Sequence, residues 1–160
     1  MNETFTEFLN AMKADPDMIQ QALRMYLSER TNDLTRKEML AELRTSARNE
    51  EELDRLLKEL ERDPDALEQS ALVYLEHAWE DDAQKPSVRA AFEQAKARLP
   101  VVELAILAIV AMYGMHLIAT DGVIETKFKR NPDGSYEKTE KRETFAPIVS
   151  AMVGLFAKKG

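Results

Sequence analysis

The 160-residue chain has no cysteine. That absence excludes disulfides, zinc–thiolate sites, iron–sulfur clusters and thiol nucleophiles together. It also suits a reducing compartment. Histidine is scarce, so any imidazole chemistry must use His77 or His116. With five glycines, close backbone cradles for phosphates or dinucleotides are scarce too. No HExxH, paired ExxH or GxSxG pattern occurs, and no glycine-rich phosphate loop. The opening Met1-Asn2-Glu3 has neither the basic start nor the apolar core expected of a secretory leader. A cationic excess is also lacking. The net charge of −7 argues against broad binding to nucleic acid or anionic lipid.

The chain is long enough for one domain that buries a core without crosslinks. Its charge is uneven. Residues 1–98 carry nearly all the acidic excess, whereas the chain turns basic from Lys127 onward through Lys129, Arg130, Lys138, Lys141, Arg142, Lys158 and Lys159. Such a split marks two parts with different surroundings.

The first part repeats itself. Phe8–Leu27 (FLNAMKADPDMIQQALRMYL) aligns with Leu56–Leu75 (LLKELERDPDALEQSALVYL). Asp15-Pro16-Asp17 matches Asp63-Pro64-Asp65, Gln21 matches Gln69, and Tyr26-Leu27 matches Tyr74-Leu75. Upstream, Phe5, Phe8, Leu9 and Met12 match Leu53, Leu56, Leu57 and Leu60, each set spaced as one face of a helix. In each Asp-Pro-Asp the first aspartate caps a helix and proline takes its first position. The second acid favours the positive helix end. Each unit therefore predicts a short helix, a corner, a longer helix, and then a third helix. The third helices fall at about 35–48, capped by Thr35, and about 86–98, started by Pro86, with Val88, Ala91, Phe92 and Ala95 as an inward stripe. Residues 1–98 thus read as two tandem three-helix units, about 2–48 and 50–98. Helical repeats often present binding surfaces, but about three units are needed to bury a continuous solenoid core. Two units are expected to pack on each other or on the C-terminal third of the chain.

That C-terminal third opens with Val101–Ala119, VVELAILAIVAMYGMHLIA, behind Pro100. A helix apolar on every side is either a central core helix or a membrane span. Glu103 and His116 bound an uncharged run of about a dozen residues, short for a span of about 20. High apolar density and a second apolar run, Ile148–Phe156, point the other way. The sequence supports both readings. The residues expected to carry an interaction or membrane contact are Leu104, Leu107, Ile109, Val110, Tyr113 and Leu117.

Asp121-Gly122 ends that helix. Asn131-Pro132-Asp133-Gly134 then signals a turn, with proline second and glycine fourth. Ile124, Thr126 and Phe128 before it, and Tyr136 and Thr139 after it, alternate with charged residues and predict an antiparallel β-hairpin. Its expected surface is Lys127, Phe128, Lys129, Arg130 and Tyr136. A calcium loop fails here, because Lys129 would hold the first ligand position, where an acid is required. Glu137, Glu140 and Glu143 interleave the basic residues, so nucleic acid is a poor partner for the ribbon. A short C-terminal helix opens at Pro147 and ends at Lys158-Lys159.

The expected fold is mainly α: duplicated three-helix units over 1–98, then an apolar helix, a charged hairpin and a C-terminal helix over 99–160, packed on the repeat region as one domain. No catalytic, metal or cofactor residues are assigned. The expected function is a non-enzymatic helical protein-interaction or self-association module, cytoplasmic, with a protein or a second copy as partner. The alternative is a membrane-associated or membrane-permeabilising effector acting through residues 101–119.

Overall fold

The computed structural model describes residues 3–32, 34–97, 104–119, 127–139 and 154–156. It is mainly helical. Helices α1 (Phe5–Met12), α2 (Pro16–Arg30), α3 (Arg36–Ser46), α4 (Glu50–Glu61), α5 (Pro64–Trp79), α6 (Lys85–Ala97) and α7 (Leu104–Ala119) precede strands β1 (Lys127–Arg130) and β2 (Tyr136–Thr139).

The helix starts obey the capping chemistry. Asp15 Oδ1 accepts from the Met18 N–H at 2.8 Å, and Asp63 Oδ1 from the Ala66 N–H at 3.0 Å, with proline next in each case. Thr4 with Glu7 and Thr35 with Glu38 form reciprocal capping boxes. These bonds satisfy donors that a helix leaves unpaired at its first turn. Asn49 does the same for α4, accepting from Glu52 N–H at 3.1 Å.

Helices α2 and α5 pack on each other at the centre of the molecule. Helix α6 lies along α2, and α7 lies against α5, α4, α3 and α2. The two runs of three helices differ in their third member. Helix α6 reaches across to α2, whereas α3 lies against α7 and α4. Phe5 and Phe8 of α1 enter an aromatic cluster with Trp79 and Phe92. The Phe8 and Trp79 rings stack at 4.8 Å, and Phe8 meets Phe92 edge-on at 5.2 Å. Arg89 covers this cluster, its guanidinium 5.1 Å from the Phe8 ring and 4.9 Å from Trp79. It also pairs with Glu3, while Trp79 Nε1–H donates to the Glu3 carbonyl at 3.0 Å.

Leu107, Ala108, Val110, Ala111, Met112, Tyr113 and Met115 are all buried, so α7 presents apolar side chains to several neighbours at once. Burying each large apolar side chain contributes roughly 1.5–3 kcal/mol. A helix surrounded this way needs no polar face. Among the described residues, no helix is long and apolar enough to cross a membrane. Pro100 and Glu103 lie outside the described residues.

The hairpin pairs Arg130 with Tyr136 and Lys129 with Glu137. Its turn matches the sequence signal. Gly134 N–H donates to the Asn131 carbonyl at 2.9 Å, and Gly134 holds φ +91°, a conformation natural to glycine. Asn10 on α1 docks the ribbon. Its carboxamide accepts from the Tyr136 N–H at 2.8 Å and donates to the Tyr136 carbonyl at 3.3 Å, as a neighbouring strand would. Ile124 and Thr126 lie outside the described residues. Of the expected C-terminal helix only Gly154–Phe156 is described, as a helical turn.

Candidate ligand cleft

The matched tyrosines of the sequence repeat meet in space. Tyr26 on α2 and Tyr74 on α5 are both buried, with ring centroids 5.9 Å apart and planes tilted by 56°. They meet because α2 and α5 are the central pair and each tyrosine sits in the second half of its helix. Beside them opens a cleft of about 370 Å³. Its apolar wall is Tyr26, Tyr74, Ala78 and Leu117, and its polar wall is Arg30, Thr31, His77, Asp81 and Gln84. Four parts of the chain therefore build it: the end of α2, the second half of α5, the α5–α6 turn and the end of α7.

The polar groups are arranged around the Tyr26 phenol. Its O–H donates to Gln84 Oε1 at 2.9 Å. Burial pushes the phenol's pKa up. The Arg30 charge pulls it down, and Asp81 and Glu29 push it up. Arg30 and Asp81, both exposed, line the same cleft. Asp81 Oδ1 accepts from the Ala83 N–H at 3.0 Å, an Asx-type turn that sets the α5–α6 corner. Among the described residues Arg30 makes no ion pair. The cleft therefore carries one fixed charge of each sign, an imidazole, a carboxamide and a hydroxyl beside an aromatic wall. Such a set holds and orients a bound group.

The residues expected from sequence fall in different places. Leu117 lines the cleft. Leu107, Val110 and Tyr113 are buried and Ile109 is half-buried, all in the packing of α7. The Leu104 side chain lies outside the described residues, as do those of Lys127, Phe128, Lys129 and Arg130, whose backbone forms β1. Tyr136 corrects an expectation. It is not a surface residue of the hairpin but only 2% exposed, with its hydroxyl donating to Glu68 Oε2 at 3.3 Å. Alternation along a strand identifies one face, yet only the packing of the ribbon on α1 and α5 decides which face is inside. Reading the sequence missed Arg30, Thr31, Asp81 and Gln84, which belong to no motif. The one available signal was the Tyr-Leu pair that the two aligned segments share at Tyr26 and Tyr74.

A second cluster joins α3, α7 and the 154–156 turn. His116 is buried, and its ring meets Phe156 edge-on at 4.9 Å. Its Nδ1 has no hydrogen-bond partner among the described residues. Burial lowers the His116 pKa, against the opposing charge of Glu42. Burial also raises the Tyr113 phenol, and a hydrogen bond and the charge of Glu42 raise it further. The turn itself is held by Arg48, whose N–H donates to the Leu155 carbonyl at 3.2 Å. Among the described residues, no group of three or more His, Asp or Glu side chains could hold a metal ion.

Compared with known proteins, the chain matches no family model, no curated protein and no solved structure.

Proposed function

We propose that this chain is a non-enzymatic helical interaction module, cytoplasmic in setting, whose docking point is the cleft beside Tyr26 and Tyr74. On this reading, residues 1–98 are two copies of one three-helix unit, about 2–48 and 50–98. The segment 99–160 closes them into one domain. One observation carries the reading: the equivalent tyrosines of the two copies converge on one cleft, flanked by an Arg30 that makes no ion pair among the described residues. A duplication kept only for folding needs its matched apolar faces. It has no need of an open, mixed-charge cavity where the copies meet.

The alternative, a membrane effector acting through 101–119, draws less support. Its anchor residues Leu107, Val110 and Tyr113 are buried against other helices of the same chain. Freeing them would give up several kcal/mol of buried apolar area before any lipid contact formed. Self-association is one version of the module, with a second copy presenting the docked group.

The test is an amide-resolved NMR titration of the full-length chain with a mixture of small aromatic and polar fragments. The expected result is a set of shifts clustered on Tyr26, Thr31, Tyr74, His77, Gln84 and Leu117. Shifts scattered over the surface, or gathered on another face, overturn the cleft as the docking point.

A further inference from the structure

The cleft's chemistry narrows what can occupy it. About 370 Å³ lies at the small end of ligand pockets, which start near 300 Å³. Its charged groups, Arg30 and Asp81, sum to zero. Both are exposed, so a ligand with one charge would pair with one of them and leave the other to solvent, whereas a ligand with both charges pairs with both. A neutral apolar ligand would pair with neither. The hydrogen-bonding capacity is also of two kinds. Arg30 offers a fork of N–H donors that suits a carboxylate. Gln84 adds to it, because its Oε1 is taken by Tyr26 O–H while its NH2 group makes no hydrogen bond among the described residues. Asp81 is the matching acceptor. Its Oδ1 is engaged by Ala83 N–H, while its second oxygen makes no hydrogen bond among the described residues and suits an ammonium. Tyr26, Tyr74 and Leu117 add an aromatic and aliphatic wall to the same cleft.

We propose that the cleft binds a small zwitterion with an aromatic body, either a free aromatic amino acid or a dipeptide containing one. The carboxylate lies on Arg30 and Gln84, the ammonium on Asp81, and the ring against Tyr26, Tyr74 and Leu117. This rests on the cleft being the docking point and names the class of group docked there. The ligand touches α2, α5, the α5–α6 turn and α7 together, so its binding ties the two helical units to each other and to α7.

The test uses four probes on the full-length chain, monitored by amide NMR and calorimetry. They are L-phenylalanine, L-phenylalanylglycine, N-acetyl-L-phenylalanine, which lacks the ammonium, and L-phenylalaninamide, which lacks the carboxylate. The expected result is binding of a zwitterion at the cleft amides, with both singly charged probes weaker by about tenfold or more. Tighter binding of the dipeptide than of the amino acid assigns the source as peptide, and the reverse assigns free amino acid. Arg30→Gln should erase the difference between L-phenylalanine and its amide. Asp81→Asn should erase that between L-phenylalanine and its N-acetyl form. Both replacements are at exposed positions, and the helical circular dichroism should not change. Equal binding of all four probes at the cleft overturns the zwitterion and leaves the docking point standing. No shift at the cleft amides with about 10 mM of any probe, well above a millimolar dissociation constant, also overturns it. The fragment mixture then decides the docking point separately.

Discussion

Gly114, in the middle of α7, tests whether the packing of α5 on α7 is as close as the structure shows. A Cβ placed on Gly114 would lie 3.3 Å from Tyr74 Cγ, 3.4 Å from Cδ1 and 3.5 Å from Cβ. Two effects oppose each other in Gly114→Ala. Alanine is better than glycine inside a helix by about 1 kcal/mol. Forcing a methyl group into a filled core costs about 1–3 kcal/mol. The contact atoms decide between them. Cγ and Cβ sit near the α5 backbone, so they retreat only if the helix moves. The ring beyond them is only 5% exposed and packs 5.9 Å from Tyr26. Overpacking therefore wins, and Gly114→Ala should destabilise the wild-type chain by up to about 2 kcal/mol.

In a Tyr74→Ala background Cγ and Cδ1 are gone and the sign reverses. There Gly114→Ala should stabilise by about 1 kcal/mol, giving a coupling of about 1–3 kcal/mol between the two positions. Tyr74→Ala itself costs about 3–5 kcal/mol. A domain stable by about 5–15 kcal/mol tolerates that loss except at the lower end of the range. The assay is urea unfolding read by fluorescence of Trp79, the only tryptophan in the chain and a buried one. If Gly114→Ala stabilises both backgrounds equally, α5 and α7 do not approach as described and the reasoning fails.

Four further outcomes are expected. Asn10→Ala removes both bonds to the Tyr136 backbone, so it should cost about 1–3 kcal/mol and speed hydrogen exchange at the Tyr136 amide; unchanged exchange would mean the ribbon is held elsewhere. Leu107→Glu puts a carboxylate among buried apolar side chains and should sharply lower the urea midpoint, while wild-type protein stays unbound in liposome flotation; a wild type that floats reverses the order of the two readings of α7. His116 has a folded-state pKa below its ordinary 6.5, so the unfolded chain takes up its proton first as pH falls. Stability should therefore be full above 6.5 and decline below it toward the lowered folded pKa, and His116→Gln should flatten that slope; an equal slope in the variant refutes the assignment. The capping carboxylates Glu7 and Glu38 have lowered pKa values as well, and their stabilisation fades only below the ordinary carboxylate value of 4.5, so it is lost at lower pH than that of His116 begins to be.

Local chemistry by itself determined much of this protein. The Asp-Pro pairs at 15–16 and 63–64, the threonines at 4 and 35, and the Asn-Pro-Asp-Gly turn each act through bonds within a few residues. Their positions in the sequence therefore locate helix starts and a hairpin directly. The apolar stripes also identified core residues, Phe5, Phe8, Leu53, Leu56 and Phe92 among them. Three things depended on long-range packing. The two third helices take different positions, because α7 occupies the ground beside α3 while α6 is free to lie on α2. The inner face of the hairpin is set by Asn10 and Glu68, which lie 126 and 68 residues from Tyr136 and leave no local trace. The cleft is the clearest case. Arg30, Tyr74, Asp81 and Leu117 sit on different elements, and each alone looks like an ordinary helix-end or core residue. Periodicity and capping report which way a side chain faces on its own helix. Only the crossing of α2 with α5 and the approach of α7 bring those faces to one point.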